Sequence, residues 1–150
     1  MSETQPSFSI EKLYVKDLSL EIPNAPQVFV EAANPELDVQ VRNESTRFGD
    51  GLYEVVVTVT VTARSGEKTL FLAEAAQAGI FAIRGVPEGE MDPLLGIVCP
   101  TVVYPYVRET ISDVVIRGGF PPVVLAPVSF EALYAQRAES AAGPKIELVQ

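Results

Sequence analysis

Residues 53–63 alternate strictly, with Tyr53, Val55, Val57, Val59, Val61 and Ala63 on one side and Glu54, Val56, Thr58, Thr60 and Thr62 on the other. A period of two built from β-branched residues predicts a strand with one apolar face and one largely threonine face. Ser65-Gly66 marks a turn, and the apolar run at 69–83 pairs with the preceding strand as an antiparallel hairpin. Upstream, Leu37, Val39 and Val41 alternate with Glu36, Asp38, Gln40 and Arg42, and Gly49-Asp50-Gly51 separates that strand from the next. Nearer the start, Phe8 and Ile10 alternate in one phase, Leu13 and Val15 in the opposite phase, and Leu18, Leu20 and Ile22 shift again. Each change of phase predicts a bulge or bend. Pro23-Asn24-Ala25-Pro26 then breaks the strand.

The period changes after residue 85. Residues 85–93 hold turn formers, and 91–98 reads as a short helix with Pro93 in its first turn. Pro105 fits near the start of a longer helix, in which Val107, Ile111, Val114 and Val115 form one face. Arg108, Glu109, Ser112 and Asp113 take the other side, and Gly118-Gly119 stops the helix. Residues 120–128 form an apolar, proline-broken loop. Ser129 is placed to cap a last helix, with Glu131 in its first turn and Phe130, Leu133, Tyr134 and Arg137 on its face. Strands followed by helices give an α+β fold: a four-stranded antiparallel sheet with C-terminal helices packed on one side. One domain over 1–140 and a loose tail over 141–150 account for the chain.

Composition adds two constraints. With 11 basic and 20 acidic residues the net charge is −9, which disfavours nucleic acid and anionic membrane surfaces and favours basic partners. The hydrophobic fraction is 47% and the mean hydropathy +0.21, yet no apolar run approaches the roughly 20 residues that span a bilayer. Association with other copies, or an open apolar surface, is the physical outlet for that excess. A single cysteine, Cys99, forbids an internal disulfide, and the first nine residues carry neither a basic group nor an apolar run of signal-peptide type. Both features fit a cytoplasmic location.

Enzymatic chemistry finds little support. The chain has no histidine, so Ser-His-Asp and Cys-His arrangements and Cys/His zinc sites have no basis. No phosphate-cradling glycine loop is present, so neither a catalytic residue, a metal site nor a cofactor is expected. Cys99, before Pro100 in an apolar stretch, reads as a buried filler. Carboxylates remain. Asp17 and Glu21 share one strand face with Ser19 between them, and Leu72 shares a face with Glu74 while Phe71, Ala73 and Ala75 point oppositely. If the Phe71 side is the core, Leu72 is an exposed leucine beside an acid, suited to a basic peptide with some apolar character. A plain solvated sheet face with one stray leucine fits the same spacing. The apolar loops, with Val28, Phe29, Tyr104, Tyr106 and residues 120–128, either line a groove for polypeptide or fold onto their own core.

Several segments resemble the SecB family of bacterial protein-export chaperones. They are Pro23-Asn24-Ala25-Pro26 with Val28-Phe29, the strand at 53–63, EAAQAGIF at 74–81, Cys99-Pro100, PYVRE at 105–109 and RGGFPPVVLAPVSFEALY at 117–134. The likeness runs in order from residue 8 to residue 134. It implies an ATP-independent holdase, a homotetramer built as a dimer of dimers, that keeps unfolded precursor polypeptides translocation-competent and passes them to the ATPase SecA. The family's SecA-contacting residues fall here on Asp17, Glu21, Leu72 and Glu74. Its client groove falls on Val28, Phe29, Tyr104, Phe120, Leu125 and Phe130. Some relatives carry a tryptophan just before the second strand, where this chain has Ala32-Ala33. A related chaperone that controls a toxin–antitoxin pair is the alternative; a small-molecule carrier or enzyme on a sheet is the reading from another class.

Overall fold

The structure, a computed structural model, describes residues 5–140. The tail expected over 141–150 lies outside them. Four strands, β1 (Ser7–Glu21), β2 (Glu36–Gly49), β3 (Leu52–Ser65) and β4 (Lys68–Arg84), form one antiparallel sheet in the order β1-β4-β3-β2. Asp50 and Gly51 turn β2 into β3, with Gly51 at φ +68°, and Gly66 at φ +61° opens the turn from β3 to β4. Both glycines supply a left-handed conformation that side chains resist. A long crossover carries the chain from β1 to the far edge at β2. It contains a 3₁₀ turn at Gln27–Phe29, and the Ala25–Pro26 peptide within it is cis.

The phase changes along β1 are register shifts, one between Ile10 and Lys12 and one between Val15 and Asp17. Each inserts one residue, which restores the apolar set to the same side of the sheet. β2 runs much further than its apolar alternation suggests. Residues 43–47 are polar but pair with Val57, Val56, Val55, Glu54 and Tyr53 of β3. The backbone ladder of the β2–β3 hairpin, not side-chain hydropathy, extends the strand.

One face of the sheet is covered. Val55, Val57, Val59, Val61, Ala73, Ala75 and Phe81 are almost fully buried beneath the helices. The helical region is longer and more continuous than expected. α1 (Glu88–Pro93) passes into a π-helical segment at Leu94–Val98 and then into α2 (Cys99–Arg117). Pro93 therefore ends α1 instead of opening a helix, and Pro105 lies inside α2. Pro93, Pro100 and Pro105 each remove a backbone donor, and the π-helical segment between the first two accommodates the broken ladder. Val103, Val107, Ile111 and Val115 of α2 are fully buried against the sheet. Gly118 and Gly119 end α2: both Gly118 N–H, to Val114 and Val115, and Phe120 N–H, to Val115, close the last turn, with Gly119 at φ +89°.

The loop after α2 returns along the helix. Tyr104 Oη donates to the Ala126 carbonyl at 2.6 Å, and Val123 and Leu125 enter the core. α3 (Phe130–Ser140) then starts from Ser129, whose Oγ accepts the Ala132 N–H at 3.1 Å as a helix cap. Phe130 packs edge-on against the Tyr104 ring, and Tyr134 Oη donates to Asp92 at 3.2 Å. Cys99 is fully buried, and burial pushes its thiol up to about 12. No helix among the described residues is long and apolar enough to cross a membrane.

Candidate functional site

Among the described residues, no helix covers the face of the sheet opposite α2. Strand register decides which side chains meet there, because directly paired residues point to the same side. Glu21 pairs with Leu72, Ser19 with Glu74 and Asp17 with Ala76 across β1 and β4. Across β4 and β3, Leu72 pairs with Thr62, Glu74 with Thr60 and Ala76 with Thr58. Asp38, Gln40 and Arg42 of β2 complete the three rows. The four residues singled out from strand parity, Asp17, Glu21, Leu72 and Glu74, therefore share one patch. Asp17 and Glu21 are exposed, whereas Leu72 and Glu74 are half-buried. Leu72 is thus less exposed than its position beside an acid suggested, because β1 and β3 flank it.

Two members of this patch escaped the sequence reading. Asp38 adds a fourth carboxylate in the row of Glu21 and Leu72; its alternation with Leu37 and Val39 was legible, but its row depended on register. Thr60 donates from Oγ1 to Glu74 Oε2 at 2.7 Å. The threonine face was visible in the sequence, but nothing local said that Glu74 stands across from Thr60. Further along the same face, Tyr14 and Lys16 both hydrogen-bond to Glu54, Lys16 at 2.8 Å. Burial pushes the Glu54 carboxyl up, but the hydrogen bonds from Lys16 and Tyr14 outweigh it and leave the group below its ordinary value. The Tyr14 hydroxyl, held by Glu54, is raised to about 12.

The six residues assigned to a client groove divide. Val28, Tyr104, Leu125 and Phe130 are buried in the core: Val28 on the crossover, Tyr104 on α2 and not on a loop, Leu125 on the segment after α2 and Phe130 at the start of α3. Phe29 is 48% exposed and Phe120 is half-buried. These two rings stack at 5.2 Å between centroids, and Phe120 in turn stacks on buried Phe71 at 4.8 Å. Gly119 makes room for this, since a Cβ there would lie 3.2 Å from the Phe29 ring. A cleft of about 190 Å³ adjoins the crossover, lined by Val28, Ala32, Ala33 and Leu70 together with Lys68 and Glu31, which form an ion pair at 2.8 Å. A wider, open cleft of about 760 Å³ lies at the other end, between the β2–β3 turn and α1, with Tyr53, Ile83, Met91 and Leu95 on its walls.

β1 carries a row of exposed apolar side chains. Phe8, Ile10, Val15 and Leu18 all pair with inward-facing β4 residues, yet each is between 39% and 47% exposed. α2 lies mainly over β3 and β4 and touches β1 much less, so Phe8, Ile10, Val15 and Leu18 stay partly exposed on that flank. Among the described residues, no group of three or more His, Cys, Asp and Glu side chains is arranged to hold a metal ion.

Residues 1–141 match a profile of the family described as preprotein translocase subunit SecB. A Chromobacterium violaceum protein-export protein SecB is 61% identical over 135 residues, covering 90% of each chain. The Methylobacillus flagellatus protein of the same description is 58% identical over 140 residues, covering 93% of this chain and 89% of that one. Among solved structures, a Mycobacterium tuberculosis SecB-like chaperone in complex with an antitoxin peptide superposes with a TM-score of 0.67 at 17% identity. The match covers 81% of this chain and 90% of that one, and bears on the fold alone.

Proposed function

The chain belongs to the SecB family of protein-export proteins, and on that premise we propose that it is an ATP-independent holdase that keeps unfolded precursors translocation-competent and delivers them to SecA. The observation that carries this reading is the uncovered sheet face on which Asp17, Glu21, Leu72 and Glu74 share adjoining positions. Such a face suits the basic, zinc-bearing carboxyl-terminal segment of SecA: the carboxylates meet its cationic groups and Leu72 meets its apolar ones. Attraction of this type speeds encounter and weakens as salt rises.

Client capture uses a different surface. Unfolded precursors expose apolar side chains, and the Phe29–Phe120 stack beside the crossover cleft supplies exposed aromatic area for them. Burial contributes about 25 cal/mol per Å² before ordering costs, so long client segments are held better than short ones. A folded client hides the same groups and escapes. The open β1 flank, with Phe8, Ile10, Val15 and Leu18, supports assembly into a homotetramer built as a dimer of dimers, and several client surfaces on one particle add avidity.

The test has two arms. The protein, without ATP, is added to a denatured precursor diluted into refolding buffer, and aggregation is followed by light scattering; suppression near equimolar oligomer is expected, and no suppression sinks the holdase reading. In the second arm the Glu74→Lys variant is used to capture SecA. Loss of capture with client holding intact is expected. Client holding without any SecA capture by the wild type would favour the toxin–antitoxin alternative.

A further inference from the structure

We propose that Thr60 is a positioning residue for Glu74, fixing the carboxylate for the docking of a basic partner; the inference rests on the reading of this sheet face as the SecA site. Thr60 and Glu74 are direct cross-strand partners, and Thr60 Oγ1 donates to Glu74 Oε2 at 2.7 Å. The other carboxylate oxygen, Oε1, is left for a cation of the partner. Threonine suits this task because branching at Cβ restricts its χ1, so the hydroxyl is presented in a defined direction. A free glutamate side chain loses rotamer freedom when a partner orders it, and that ordering reduces affinity. A glutamate already ordered by a neighbour avoids the loss at the moment of docking.

The register singles out Thr60 among its neighbours. Thr58 stands across from Ala76 and Thr62 across from Leu72, so neither faces a carboxylate on β4. Ser19 flanks Glu74 from β1, yet among the described residues the side-chain hydrogen bond to Glu74 comes from Thr60.

Binding of a peptide with the basic, zinc-bearing carboxyl-terminal sequence of SecA to the full oligomer, measured by calorimetry, tests the assignment. Thr60→Val, which keeps shape and removes the donor, is expected to weaken binding about fivefold, the size of one hydrogen bond's net contribution. Thr60→Ser should recover most of it, and Ser19→Ala should bind as the wild type. Glu74→Gln should weaken binding more strongly, and in a Glu74→Ala background, which leaves Thr60 no side-chain acceptor, Thr60→Val should add nothing. Wild-type affinity in Thr60→Val, or an equal loss in both backgrounds, overturns the positioning role while leaving the docking reading standing. Wild-type affinity in Glu74→Gln overturns the docking reading itself.

Discussion

Glu21 of β1 stands directly across from Leu72 of β4, so a carboxylate and an aliphatic side chain lie side by side on the uncovered face of the sheet. Neither position contributes to the core, which lies on the other side. Leu72→Arg is therefore expected to abolish SecA capture, through repulsion of a basic segment and loss of the apolar contact, while leaving the thermal midpoint within a few degrees of the wild type. A pull-down beside a melting curve checks this. A large fall in the midpoint would place Leu72 in the structural core instead.

Adjacent crossover residues are expected to separate client holding from stability. Val28 is buried and Phe29 is half outside. Phe29→Ser should reduce suppression of client aggregation several-fold with little change in stability, whereas Val28→Ala should lower stability by about 1–2 kcal/mol through lost burial and the space left behind. Urea unfolding and light scattering, run on both variants, distinguish the two effects. Equal holding by Phe29→Ser and the wild type would remove this ring from the client surface.

The hydroxyl of Tyr104 ties the 120–128 loop to α2 through the Ala126 carbonyl. Tyr104→Phe keeps the ring against Phe130 and removes the tie. The expected cost is about 1 kcal/mol, with faster proteolytic cleavage in the loop. Cleavage at the wild-type rate would show that Val123 and Leu125 hold the loop without the hydrogen bond.

Burial raises the Cys99 thiol from an ordinary value of 9.0 to about 12. The native thiol should therefore ignore a thiol-directed reagent at pH 8 and react only after denaturation. The same shift fixes a pH dependence. Below the ordinary thiol pKa both folded and unfolded chains hold the proton, and the contribution is fully present. As pH rises from 9 towards 12 the unfolded chain loses its proton first, so stability falls, by at most about 1.4 kcal/mol per pH unit from this group. Urea midpoints between pH 7 and pH 11 should decline less steeply for Cys99→Ala than for the wild type. Parallel slopes would show that other groups, Tyr14 among them, carry the alkaline loss.

Much of this architecture was legible because its signals are local. The alternation at 53–63, the two phase changes in β1, the apolar face of α2 and the Ser129 cap each follow from residues a few positions apart. The polar half of β2 was not legible, since its pairing comes from the hairpin partner. Nor was the continuity of the run from Glu88 to Arg117, where Pro93 and Pro105 read as helix starts and α2's packing on the sheet carries the helix past them.

Within the site, strand parity by itself grouped Asp17 with Glu21 and Leu72 with Glu74. Parity cannot join two strands separated by fifty residues, because a shift of one position would place them on opposite faces. The tertiary structure made that join through the β1–β4 register, and with it brought in Asp38 and Thr60. It also decided which apolar loop residues serve the core and which remain outside. The family resemblance put Val28, Tyr104, Leu125 and Phe130 in the client groove, while the chain's own pattern left groove and core both open; packing against the helix and sheet buries them. The sequence determined composition, periodicity and family; burial and register, which depend on contacts between distant segments, were settled only by the folded sheet and the helix laid across it.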